Sequence, residues 1–354
     1  MKGYRLYCLI LFVVFQSPNI LNGQVQEHLT PEEQKKQTII TQPLTLQKGF
    51  VTVGLENVFQ IFNNSFGETG QREISPIDLG PFSPKSVVRN KQVNSLSLTY
   101  GITNRLQIKA ALPVVLYKER SVFVVTENDS LSMDKDYFKS LGVNAEREGN
   151  GFGDATVDVS FQLLQESNNK LGVRVGLTSR LPTGRKDPVN IVDENNYTIP
   201  SGAGETVFIP NISARLLQYP YSHLFSVNYE YSIGGKKKFP PYRFYLNYNP
   251  GFSTIDYFYQ SPPIFHIDYS FNFHLNDWMA ISNSLSYNRQ KAKTTVLVSY
   301  WKEIEVPDSW AMVYTNRISF QVKKYRINQV INVPLKGKNR PADVSYGLEM
   351  QYTF

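Results

Sequence analysis

The chain has 354 residues, 37 Lys+Arg against 30 Asp+Glu, and a formal net charge of +7, a basic excess too mild to argue for a nucleic-acid partner. Its 22 Tyr, 22 Phe and 3 Trp sit in a chain of mean hydropathy -0.31, rich in aromatics yet too polar for a bundle of spanning helices. One cysteine excludes a disulfide framework and a thiolate metal site, and four histidines leave a histidine metal cluster without support, so neither metal nor cofactor is expected.

In chain order, the first predicted element places Lys2 and Arg5 before an unbroken apolar run from Leu6 to Phe15, followed by a turn-prone polar stretch. Such a run is too short to span a bilayer as a helix and reads as a secretory signal peptide over residues 1–23, cleaved after Gly23. Cleavage would remove the sole cysteine, Cys8, and lower the charge from +7 to +5, because Lys2 and Arg5 leave with it. Residues 24–48, polar and interrupted by Pro31 and Pro43, read as a flexible N-terminal arm.

From Gly49 to the end, apolar and polar residues alternate in segment after segment. The clearest are FSVNYEYSI, with Phe225, Val227, Tyr229, Tyr231 and Ile233 on one side, and FHIDYSFNFHL, with Phe265, Ile267, Tyr269, Phe271, Phe273 and Leu275. A period of two is the mark of a strand with unlike faces. Between these segments, tight turns (101–104, 166–169, 323–324) trade places with long polar excursions at 63–92, 118–152 and 183–205. Strands of this length, joined by short turns at one end and long loops at the other, predict an all-β, transmembrane antiparallel up-and-down β-barrel over 49–354. Twelve strands fit best and fourteen is the alternative, because 242–301 divides in more than one way.

Lipid offers a backbone no hydrogen bonds, so the sheet must close, and its apolar set must face the acyl chains. The polar set then faces the lumen: Asp158, Arg174, Arg180, Arg215, Glu230, His266, Asp268, Arg317, Arg326 and Glu349. Tyr100, Tyr117, Trp278, Trp301 and Trp310, near strand ends, suit interfacial girdles. At the C-terminus, Val344, Tyr346, Leu348, Met350, Tyr352 and Phe354 alternate without a miss. Tyr352 and Phe354 there resemble the terminal tag read by the barrel assembly machinery.

Catalytic signals are weak. His266 and Asp268, two apart on one face, could make an acid/base pair, but no second acidic pair accompanies them. GFGDATV follows a long loop and opens a strand, so it lacks the helix a nucleotide loop needs. No enzyme activity is expected.

Three stretches carry a resemblance: YGITNRLQIKAALPV (100–114), GFGDATVDVSFQLL (151–164) and VGLTSRLPTGRKD (175–187). Together they resemble the bacterial outer-membrane β-barrel family named for the MetA pathway of phenol degradation, over residues 93–354. The resemblance implies an outer-membrane, porin-like channel, surrounded by outer-membrane lipids, for passive passage of small hydrophobic or aromatic solutes. It carries over no substrate residue. Gly101, Asn104, Gly153, Asp154, Pro182 and Gly184 are expected to shape turns and strand ends. The alternative is a structural or adhesive barrel whose loops at 118–152 and 183–205 bind a partner.

Overall fold

The computed structural model describes residues 44–354 apart from 63, 67–68, 70, 75–85, 123–145, 167–169, 188, 190–197, 240–254, 277, 298–301 and 323. The expected signal segment, residues 24–43 of the arm, and Trp301 fall outside the described residues.

Twelve strands form a ring: β1 (Val51–Phe62), β2 (Ser86–Gly101), β3 (Leu106–Val122), β4 (Thr156–Leu164), β5 (Leu171–Arg180) and β6 (Thr206–Gln218). They continue with β7 (Tyr221–Phe239), β8 (Ile264–Asn276), β9 (Met279–Gln290), β10 (Ser309–Val322), β11 (Tyr325–Lys338) and β12 (Ser345–Thr353). Neighbours in the ring are neighbours in sequence and run antiparallel, and β12 pairs with both β11 and β1. The last bond of the closure runs from the Phe354 amide to the Val51 carbonyl at 2.8 Å.

Twelve and fourteen are reconciled by two short strands that join the sheet without adding to the ring. Glu146–Phe152 pairs with the outer half of β3, above the point where β4 stops, and Ile255–Tyr259 does the same for β7. Pro113 sits at the handover on β3, between Ala111, which pairs with Thr156, and Val114, which pairs with Phe152. Lacking an amide proton, proline is at home where ladder pairing changes hands.

The expected excursions at 63–92 and 118–152 are shorter than their lack of alternation implies. β2 begins at Ser86 and β3 runs on to Val122, pairing with each other throughout. Alternation fades there while backbone pairing continues, and Lys118 and Glu148 form an exposed ion pair at 3.2 Å.

At the other end the turns are made locally. The Thr103 hydroxyl accepts the amides of Arg105 (3.1 Å) and Leu106 (2.9 Å), and the Asn276 carboxamide accepts the Trp278 amide at 3.1 Å. Rings cluster at this rim: Tyr325 and Tyr352 lie 4.8 Å apart, Tyr352 and Phe354 4.5 Å, and Trp278 stacks on Phe320.

The apolar set faces outward. Leu55, Leu96, Tyr229, Ile212 and Leu348 are all exposed, whereas the clustered buried apolar residues are Leu217 and Ala280. A water-soluble sandwich would hide such residues between two sheets. Here they wrap the outside of a closed ring, the arrangement a bilayer stabilises.

Candidate functional site in the barrel interior

Inward-facing residues enclose a cavity of about 900 Å³. Small side chains on β1 to β3, among them Gly54, Ser95, Ser97 and Ala111, leave the room, while Lys109, Asp158, Arg174, Glu230, His266 and Arg326 bring charge to its wall. Both signs are present, so the interior forms no single-sign ring of the kind that selects ions.

At the short-turn end the chain itself enters the interior as a plug segment. Leu46 and Gln47 line the cavity there, and residues 44–48 are held by side chains of two hairpins, β2–β3 and β4–β5. The Leu44 amide donates to Glu166 Oε1 (2.7 Å), the Leu46 amide to Gln107 Oε1 (2.6 Å) and the Lys48 amide to Asn104 Oδ1 (3.2 Å). Arg174 Nη1 donates to the Leu44 carbonyl at 3.2 Å, and the Thr45 hydroxyl donates to Gln162 Oε1 at 2.8 Å, both residues fully buried. Gly101 makes the approach possible, since a Cβ at that position would lie 1.8 Å from the Gln47 carbonyl oxygen.

Glu166 anchors this plug. Its carboxylate also takes Arg215 in a two-pronged pair, Nε to Oε2 at 2.5 Å and Nη2 to Oε1, with both side chains largely shielded from solvent. Arg215 and Arg174, expected at the lumen, are thus brought to the plug.

Higher on the wall, Glu230 joins Arg180 (3.1 Å) to His266 Nε2 (3.0 Å), and His266 Nδ1 meets Asn288 Oδ1 at 2.8 Å. The His266 side chain bonds Glu230 and Asn288 and makes no hydrogen bond to Asp268, the acid two residues along. The direct partners of His266 across the strands are Asn228 and Asn288, and Glu230 on β7 reaches its ring from the diagonal position. Asp268 instead accepts longer bonds from Ser226 (3.4 Å) and Asn228 (3.5 Å). Across the barrel, Glu349 accepts Arg317 Nη2 at 3.1 Å and Asn328 Nδ2 at 2.7 Å. Asp158 accepts the Thr178 hydroxyl at 2.7 Å and that of Ser160. Arg326 lines the cavity with Nε and Nη2 shielded and without a hydrogen-bond partner.

The open rim from β4 to β8 is knotted by two carboxylates. Asp154 accepts the amides of Gly184 (3.0 Å) and Ala203 (2.6 Å). Glu205, 1% exposed, accepts the Ser232 hydroxyl (2.6 Å) and both the amide (2.7 Å) and hydroxyl (2.9 Å) of Ser261. Gly184 belongs to the knot because a Cβ there would lie 2.7 Å from the Gly202 Cα. Asp154→Ala is expected to leave two amides unpaired, at about 1–3 kcal/mol each. Limited proteolysis should then cut faster within 183–205 while the folded barrel keeps its heat-modifiable gel mobility.

Sequence reasoning missed Glu166, Gln162, Gln107 and Glu205, because each looks like an ordinary polar residue in or near a turn. A ring of twelve strands needs its interior filled by side chains, by the 24–48 arm or by an inward-folded loop; nothing local singles out 44–48, whose partners are 56 to 130 residues distant in sequence.

These features define a transmembrane β-barrel with a mixed-charge interior. No family model matches the chain, and no curated protein matches it by sequence. Among solved structures it is similar to the COG4313 outer membrane channel from Pseudomonas putida F1, with TM-score 0.57 and 9% identity over 88% of this chain and 97% of that one. Weaker likenesses reach the Ralstonia pickettii toluene transporter TbuX (TM-score 0.41, 10% identity, 91% and 93% covered) and the translocator domain of the autotransporter NalP from Neisseria meningitidis (0.43, 5%, 87% and 90%). The first likeness extends over almost the whole of both chains and shows a shared barrel fold; the weaker two do not bear on function.

Proposed function

We propose that this chain is a passive channel of the bacterial outer membrane for small hydrophobic, including aromatic, solutes. The observation that carries the reading is the interior: a cavity of about 900 Å³ inside a closed ring, lined at its short-turn end by the 44–48 segment. A segment held by side-chain hydrogen bonds can yield without breaking the strand ladder. The fold shared with an outer membrane channel supports the reading, and so does the resemblance of 100–114, 151–164 and 175–187 to the MetA-pathway family.

On this reading, residues 1–23 direct export, 44–48 supply a plug, and Tyr352 with Phe354 marks the chain for the assembly machinery. Arg174, Arg180, Glu230, His266, Asp268, Arg317 and Glu349 orient the polar end of a solute in the lumen. The His266–Glu230 pair is assigned no reaction.

The test is uptake of a fluorescent hydrophobic aromatic dye by cells with and without the chain in an otherwise intact outer membrane. Faster uptake with the chain is expected. Equal uptake for every dye and small solute tried would overturn the channel and favour a barrel whose loops bind a partner.

A further inference from the structure

The outward surface is not uniformly greasy. Asn57 on β1, Asn94 on β2, Asn283 on β9, Asn316 on β10 and Gln329 on β11 all point away from the cavity, on the same strand faces as the exposed Leu55, Leu96, Leu285 and Leu348. Register places Gln329, Leu348, Asn57 and Asn94 in one continuous row across four adjacent strands. The other half of the barrel differs: the corresponding row there runs Val175, Ile212, Val227, Ile267.

Depth makes this costly. A tilted strand climbs about 2.5 Å per residue, so Asn57, six residues into β1, stands roughly 15 Å above the aromatic rim and Gln329 about 10 Å, both within an apolar band about 25 Å tall. Lipid tails can neither donate to nor accept from a carboxamide.

Internal pairing satisfies only part of the set. Asn57 Nδ2 donates to Asn94 Oδ1, and Asn283 Oδ1 accepts both Asn316 Nδ2 (3.0 Å) and the Tyr314 hydroxyl (2.6 Å). The Asn57 carbonyl and the Asn94 amino group remain, and the exposed Gln329 has no side-chain hydrogen bond.

We infer that this wall, from β9 through β12 to β2, is the face on which a second copy of the chain docks within the membrane. A carboxamide both donates and accepts, so a row of them is complementary to itself, which is what a two-fold interface requires. With the axis along the membrane normal near Leu348, Leu348 meets its counterpart, and Gln329 of each copy lies on the side of Asn57 of the other, about 5 Å lower by the same climb per residue. The inference rests on the outward face meeting lipid and is independent of which solute passes.

The test places one thiol at a time in a chain carrying Cys8→Ser. Oxidised in isolated outer membranes, Leu348→Cys is expected to give a species of twice the chain mass and Ile212→Cys, on the far wall, to give none. Adding Asn57→Leu and Gln329→Leu to Leu348→Cys should abolish the crosslink. Retained heat-modifiable mobility identifies the folded variants. Should one fail to fold, sedimentation of the unaltered chain in mild detergent decides, with a dimer expected. Crosslinking of Leu348→Cys no stronger than of Ile212→Cys, a crosslink that survives the leucine pair, a product of any other mass, or a monomer on sedimentation would each overturn the inference.

Discussion

Replacing Glu166 with alanine is expected to destabilise the barrel by about 3–5 kcal/mol and to unseat the plug in the same step. The carboxylate is 4% exposed and its partner Arg215 11%, so the substitution strands a guanidinium in a shielded place. It also removes the acceptor for the Leu44 amide. Loss of this anchor should raise single-channel conductance, because residues 44–48 would keep Gln107, Gln162, Asn104 and Arg174 but lose the shielded carboxylate that ties the Leu44 amide to Arg215. Equilibrium unfolding in lipid vesicles reads the first effect and planar-bilayer recording the second. Unchanged conductance in a destabilised barrel would show that the other four contacts hold the plug unaided. Arg215→Met together with Glu166→Leu should recover much of the stability but not the plug, since a buried ion pair replaced by apolar groups is often neutral.

Ile212→Arg is expected to cost about 2–4 kcal/mol, the penalty for a cation facing lipid near the midplane. Ile212 is exposed, pairs with Val175 and Val227, and lies six residues from the short-turn end of β6. Ser226→Arg, on the neighbouring strand but facing the cavity beside Asp268, should cost far less, because water and a carboxylate receive the charge. Unfolding of the two variants in vesicles of one lipid composition makes the comparison. Equal penalties would show that the two faces do not differ in environment, and the membrane orientation would fall.

Much of this was legible in the residues because it depends on a period of two. A strand between lipid and a wet interior must alternate, and FSVNYEYSI and FHIDYSFNFHL do so at full length; their register then puts Tyr229 opposite Phe265 on one face. Alternation also separated candidate lumen residues from lipid-facing ones. It failed at Ser86–Gln92 and beyond Leu116, where the pattern faded while the strands went on. Asn57, Asn94 and Gln329 look like ordinary polar interruptions in the sequence. Only parity against the cavity shows that they sit on the lipid side.

The sequence by itself determined the class of fold, the orientation of its faces and the closing role of the last strand, because these follow from local periodicity and the demands of a medium without hydrogen bonds. Tertiary structure alone decided which polar groups meet. His266 with Glu230, Arg215 with Glu166 and Thr45 with Gln162 are contacts across strands or across the lumen. They depend on register and on the curvature of a closed ring, and a shift of one residue in pairing would send every one of those side chains to the opposite face.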